Sequence, residues 1–195
     1  MKAWHVIVII VVILLLFVGF TYNSFIKKQL DVENSWAEID NQYKRRSDLI
    51  PNLVNTVKGY AAHEKETFTE VIEARSKATS INVDPKNLNP QVLEQFHEAQ
   101  AGLTQALSKL MVVVERYPDL KANQNFLDLQ SQLGKIEEEI QLARRYYNGT
   151  VRELNIKIES FPSNLVAGFF RFTPAEFFEI EDKADQAVPK VTFPQ

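Results

Sequence analysis

The sequence predicts an all-α protein: an N-terminal transmembrane helix followed by an elongated antiparallel helical bundle of three long helices and a short C-terminal helix. Three observations predict it. Ala3 to Tyr22 contains no Asp, Glu, Lys or Arg and reads VIVIIVVILLLFVGF at its centre. Beyond it, apolar residues recur at gaps of three and four over long stretches, which places them on one face of a helix. Loop chemistry gathers between those stretches, as in the two prolines and three asparagines of Ile81 to Pro90.

The anchor comes first. About 20 residues at roughly 1.5 Å each make about 30 Å, the thickness of a hydrocarbon core. Trp4 and Tyr22 stand at its two ends, where amphipathic rings favour the headgroup level. A cleaved signal peptide is the rival reading, but its apolar core would be shorter and no small-x-small cleavage site follows. Lys2 alone precedes the span, whereas Lys27 and Lys28 follow it, with Lys44, Arg45 and Arg46 further on. The positive-inside bias then predicts a short N-terminus outside and a cytoplasmic body.

The body divides into residues 25–162, a long-helix bundle, and 163–195, a Phe-rich cap with a short helix, after an anchor at 1–24. Trp36, Ile39, Tyr43, Ile50, Leu53, Val57, Tyr60, Phe68, Val71 and Ile72 form the first stripe. The spacing predicts one helix from Asp31 to Thr79, kinked near Pro51. Proline lacks a donor and crowds the carbonyl four residues back, here that of Ser47. A break at Pro51 is the alternative. After the 81–90 connection, Asn89 caps a second helix with Pro90 in its first turn. Leu93, Phe96, Leu103, Leu107, Leu110, Val114 and Tyr117 line its inner face up to Pro118, and a polar link follows.

The third long helix has the cleanest pattern. Phe126, Leu129, Leu133, Ile136, Ile140, Ala143, Tyr147, Thr150, Leu154 and Ile158 step by threes and fours as far as Phe161, a coiled-coil-like seam that runs through Gly149. After Phe161 helical phase is lost over Pro162 to Phe172. Thr173-Pro174-Ala175-Glu176 then predicts a capped short helix reaching about Ala187.

The stretch NSWAEIDNQYKRRSDLIPNLVNTVKGYAAHEKETFTEVIEAR, with ESFPSNLVAGFFRF and Phe177-Phe178-Glu179 later on, resembles the LemA family. The resemblance covers nearly the whole chain, including the Tyr22-Asn23 pair at the exit of the anchor. It implies a bacterial cell-membrane protein with one N-terminal span and a cytoplasmic helical domain. It implies no catalytic residues. Some relatives are associated with organising internal membranes, and others with a membrane metallopeptidase.

Composition bounds the function further. The chain has 195 residues, 45% hydrophobic, with a formal charge of −3 and no cysteine. Disulfides, thiolate chemistry and thiolate metal sites are excluded, and no general attraction to nucleic acid is expected. Glu94-Gln-Phe-His97 is a helical Glu-x-x-His, but a di-iron bundle needs two such pairs and two further glutamates. Surface residues are the simpler reading, and no cofactor or metal is expected.

Two structural candidates remain. Arg46 falls on the inward heptad phase where a leucine is expected, which predicts a partner: Asp40, Asp48 or a glutamate of another helix. Phe161, Phe169, Phe170, Phe172, Phe177 and Phe178 form either a cap that buries its own rings or an exposed apolar patch for self-association. The function this predicts is a non-enzymatic membrane scaffold whose partners are the lipid bilayer and further copies in a homo-oligomer. An adaptor for another membrane protein, such as a protease, is the alternative, and a metal-carboxylate redox enzyme the remote one.

Overall fold

In the computed structural model, residues 3–85 and 89–178 are described, and among them six helices and no strand are found. They are α1 (Ala3–Lys58), α2 (Lys65–Ser80), α3 (Pro90–Val114), α4 (Pro118–Lys121), α5 (Gln124–Glu159) and α6 (Ser163–Phe170).

α1 carries two environments on one unbroken helix. Its first turns expose Trp4, Val6 to Phe17 and Phe20, and none of its most apolar window is covered by protein. With a mean hydropathy of 3.0 there, this part is long and apolar enough to cross a membrane. From Phe25 onward the same helix turns a buried face to the bundle: Val32, Trp36, Ile39, Tyr43, Ile50, Leu53 and Val57.

Pro51 lies inside α1 and does not end it. Lacking an N–H, it leaves the Ser47 carbonyl without its usual helical donor. Arg75 of α2 supplies one, its Nε donating to Ser47 O at 2.7 Å. The proline thus becomes a place where a second helix is fastened to the first.

The predicted helix from Asp31 to Thr79 is two helices. α1 stops at Lys58, and the turn from Gly59 to Glu64 reverses the chain so that α2 runs back along α1. Ala61 is buried at this corner, while Tyr60 and Ile72, which the spacing placed inside, are exposed. Tyr60 instead accepts a hydrogen bond from Asn123 Nδ2 at 2.9 Å, and Glu64 pairs with Arg116 at 3.0 Å. These contacts tie the corner to the α3–α5 connection, where the polar link contains the single turn α4.

Asn89 caps α3 as predicted, its side chain accepting from Gln91 N, with Pro90 in the first turn. Asn123 likewise caps α5, and Gly149 lies within that helix. Pairs along α1 and α5 set an antiparallel register: Lys28 with Glu153, Ser35 with Thr150, Arg45 with Glu139, Tyr60 with Asn123. Near the anchor, Lys157 donates to Ser24 and lies 5.5 Å over the Phe25 ring. Its ammonium is held below the usual lysine range, first by desolvation and then by Lys28.

The lengths of the helices explain the rest. α5 spans 36 residues, whereas α3 spans 25 and α2 only 16. At roughly 1.5 Å per residue, α2 and α3 leave the part of the α1–α5 pair next to the anchor uncovered on one side. The C-terminal segment covers it. Residues 172–178 run as extended chain along α5, so the helix predicted to start at Thr173 is absent from 173–178; its remainder, 179–187, lies outside the described residues. The helix occurs earlier, as α6, within a stretch whose apolar residues had shown no helical phase.

Candidate functional site

Two clusters of buried side chains make up the core. One joins Ile50 to Ala61 with α2, α3 and the start of α5; the other joins Phe25 to Tyr43 with Phe96, Ile136 to Leu154 and Phe178. Arg46 lies at the boundary between them, 2% exposed. Its Nη1 donates to Glu137 Oε1 of α5 at 2.9 Å and to Thr104 Oγ1 of α3 at 3.2 Å. Its Nη2 donates to Gln100 Oε1 at 2.5 Å, and the guanidinium lies 4.9 Å from the centre of the Tyr43 ring. The partner is therefore a glutamate of another helix; Asp40 and Asp48 are exposed on α1.

This polar layer connects three helices. Gln100 Nε2 extends it to a fourth, reaching the Ala78 carbonyl of α2 at 3.4 Å. A planar guanidinium with five donors suits such a junction, since it can serve several acceptors at once. Arg46 Nε has no hydrogen-bond partner among the described residues. Gln100 and Thr104 were not singled out by the sequence, because each is an ordinary polar residue on a helix whose stripe is complete without it, and Glu137 was covered only by the general expectation of a glutamate from another helix.

The phenylalanines divide into two groups. Phe178 is buried, with ring centres 6.0 Å from Trp36, 4.1 Å from His97 and 6.5 Å from Tyr147. Arg144 lies 4.6 Å over the same ring. Phe172 stacks on Phe25 at 4.6 Å. Phe170 meets Tyr22 at 4.7 Å but is itself exposed, as are Phe161, Phe169 and Phe177. Some of the segment is therefore cap and some is open surface.

Two asparagines hold the cap in place. Asn155 Nδ2 donates to Ala175 O at 2.9 Å, and its Oδ1 accepts from Ala175 N at 2.8 Å. One heptad earlier, Asn148 does the same for Phe178, at 3.0 and 2.8 Å. Each carboxamide thus satisfies both backbone groups of an extended residue, as a neighbouring strand would. Tyr147 adds a bond from its hydroxyl to Glu176 O at 2.8 Å. Burial, with the Glu176 charge second, pushes that phenol well above the ordinary tyrosine range. Neither asparagine was singled out by the sequence, and their heptad spacing is the one signal that could have found them.

Glu94 and His97 line an open groove with Pro90, Leu93, Glu98, Glu176 and Phe177. His97 packs its ring on Phe178. Among the described residues no three His, Asp or Glu side chains gather in a way that could hold a metal ion. His63, on the corner between α1 and α2, is exposed and remote in sequence and in fold from this groove.

Comparison with known proteins now adds to the geometry. The LemA family model matches residues 35–193. The chain belongs to the LemA family. Among its curated relatives, Protein LemA of Metamycoplasma hominis is 29% identical over 145 residues, covering 74% of this chain and 63% of that protein. Magnetosome protein MamQ 2 of Paramagnetospirillum magneticum is 26% identical over 188 residues, 86% of this chain and 68% of that protein. Magnetosome protein MamQ of Magnetospirillum gryphiswaldense is 22% identical over 186 residues. The match thus spans about two thirds of the length of these LemA-family relatives, and none of their names specifies a reaction.

Proposed function

We propose that this LemA-family chain is a non-enzymatic scaffold of the bacterial cell membrane that crosses the bilayer once, keeps its bundle in the cytoplasm and self-associates laterally. One observation carries the reading: a single 56-residue helix bears both an exposed apolar stretch long enough to cross a bilayer and a full side of the core. Because nothing interrupts α1, the body is held rigidly at the membrane, which suits a post that positions other molecules. The charged and polar groups at the centre of the bundle bond to one another across helices, which supports a structural use for them. Relatives named as magnetosome proteins add weight, since that name denotes a structure and no chemical step.

The side of α5 facing away from the core offers the contact surface. Leu142 and Tyr146, 59% and 64% exposed, stand next to Glu38, Arg45 and Glu139. An apolar centre with a charged rim is the usual pattern of a protein interface. The test is photo-crosslinking in native membranes from residues 142 and 146 of the full chain, read by mass spectrometry. Self-links are expected. Links only to another membrane protein would favour the adaptor reading, and no links from either position would overturn lateral assembly. For topology, Leu127→Cys should react with an impermeant maleimide only after the cells are lysed; labelling of intact cells would place the bundle outside.

A further inference from the structure

We propose that α6 is a foot that the bundle sets into the lipid headgroup layer, with Phe161, Leu165 and Phe169 as the side chains that enter it. The inference rests on the reading of α1 as a membrane anchor, and adds to it a second, separate contact with the bilayer.

The surface itself comes first. Leu165 and Phe169 are one turn apart on one side of α6, and Phe161 is exposed just ahead of the helix. Phe161, Leu165 and Phe169 are 79%, 65% and 80% exposed. No charged residue occurs from Phe161 to Phe170. On the opposite side Val166 and Ala167 are buried in the bundle, so the outward face is fixed in direction by packing. A rigid, charge-free, aromatic face of this kind is costly to leave in water.

Its position selects the occupant. α6 and Phe172 beyond it pack on the last turn of the apolar run of α1, with Phe170 at 4.7 Å and Phe172 at 5.7 Å from the Tyr22 ring. Val18, one turn deeper, packs against the same buried cluster as Val166 and Ala167. A segment level with Val18 to Tyr22 lies where the bilayer begins, and Phe20, 73% exposed, is at the same level of α1. One helical turn is about 5 Å, which matches the depth at which interfacial helices insert. A protein partner would first have to displace the lipid already surrounding the anchor.

The flanks fit the same environment. Lys27, just beyond Tyr22 on α1, and Arg171, at the end of α6, are both exposed. Arg171 ends α6 at φ 59°, and Phe172 N closes the helix onto Ala167 O at 2.9 Å. That left-handed position favours glycine, and a non-glycine residue there carries a conformational cost. An arginine in its place puts a cation level with anionic headgroups.

The chain has no cysteine, so single-cysteine nitroxide labelling of the full protein is direct. Labels would be placed at Leu165, Phe169, Leu15 in the span and Leu127 at the far end, in vesicles of phosphatidylcholine and phosphatidylglycerol. At 165 and 169 we expect nickel-chelate accessibility several-fold below that at 127, with oxygen accessibility raised towards that at 15. Labels at 165 and 169 as open to nickel as 127, with 15 in lipid, would overturn the foot and leave the anchor standing. Position 15 open to nickel would remove the anchor and the foot together. Shielding from both reagents, with spin–spin broadening that disappears on dilution with unlabelled chain, would mean a second copy covers the face and would equally overturn the proposal.

Discussion

Glu137→Gln probes the polar layer most directly. The substitution keeps the shape and one acceptor oxygen but removes the charge opposite a guanidinium that is 2% exposed. Two unit charges about 4 Å apart interact by about 4 kcal/mol at an effective dielectric of about 20. Glu137 is 45% exposed, so solvent screening takes away roughly half of that. The expected loss is about 2 kcal/mol, because Arg46 keeps Gln100, Thr104 and the Tyr43 ring but no anion. In the Arg46→Leu background the same substitution should cost almost nothing, since no buried charge remains to be compensated. The measurement is a double-mutant cycle on the full chain in mild detergent, with helicity followed against denaturant by circular dichroism. A coupling energy below about 0.5 kcal/mol would refute the reasoning, for Glu137 would then be behaving as an ordinary surface carboxylate.

Three further outcomes are expected. Asn155→Ala removes two hydrogen bonds that hold the cap, at about 1 kcal/mol each, and should abolish hydrogen-exchange protection of the Ala175 amide while leaving that of mid-α5 amides unchanged. Arg75→Met should cost about 1–2 kcal/mol in the parent chain and clearly less after Pro51→Ala, because the alanine N–H then satisfies Ser47 O; equal costs in both backgrounds would argue against the compensation. Above about pH 10 the unfolded chain loses the Tyr147 proton while the folded chain keeps it, so stability should fall with rising pH by about 1.4 kcal/mol per unit from this group, a slope that Tyr147→Phe removes.

Reading along the chain shows where linear pattern is informative. The α5 seam was legible because a long helix packed along one side leaves its period in the residues that face inward, and Gly149 was too small a perturbation to interrupt it. Arg46 was legible for the opposite reason, as a charge where the pattern demands an aliphatic. The corner at Gly59 to Glu64 was not. Its residues Tyr60, Ala61 and Ala62 contain no proline or asparagine signal, and apolar spacing can continue in phase across a reversal. Gly59 is the one local stop signal there, and what closes the turn is the gain from packing α2 against α1 and α3, through Val71 and Arg75.

The C-terminal segment shows the same division more sharply. Thr173-Pro174-Ala175-Glu176 has every local feature of a helix start, yet it is drawn out along α5 by carboxamides of Asn148 and Asn155. Local preferences of a few tenths of a kcal/mol per residue lose to a buried ring and two pairs of backbone bonds.

The sequence by itself determined the all-α class, the long apolar N-terminal segment, the capped start of α3, and the need for a partner at Arg46. Those follow from composition and short-range periodicity, which act within a few residues. Only the tertiary structure decided that the first helix folds back at Gly59, that Glu137 rather than a nearer aspartate meets Arg46, and which phenylalanines are covered. Those outcomes depend on relative helix lengths: α2 and α3 are too short to cover α5, and the uncovered core draws the C-terminal segment over itself.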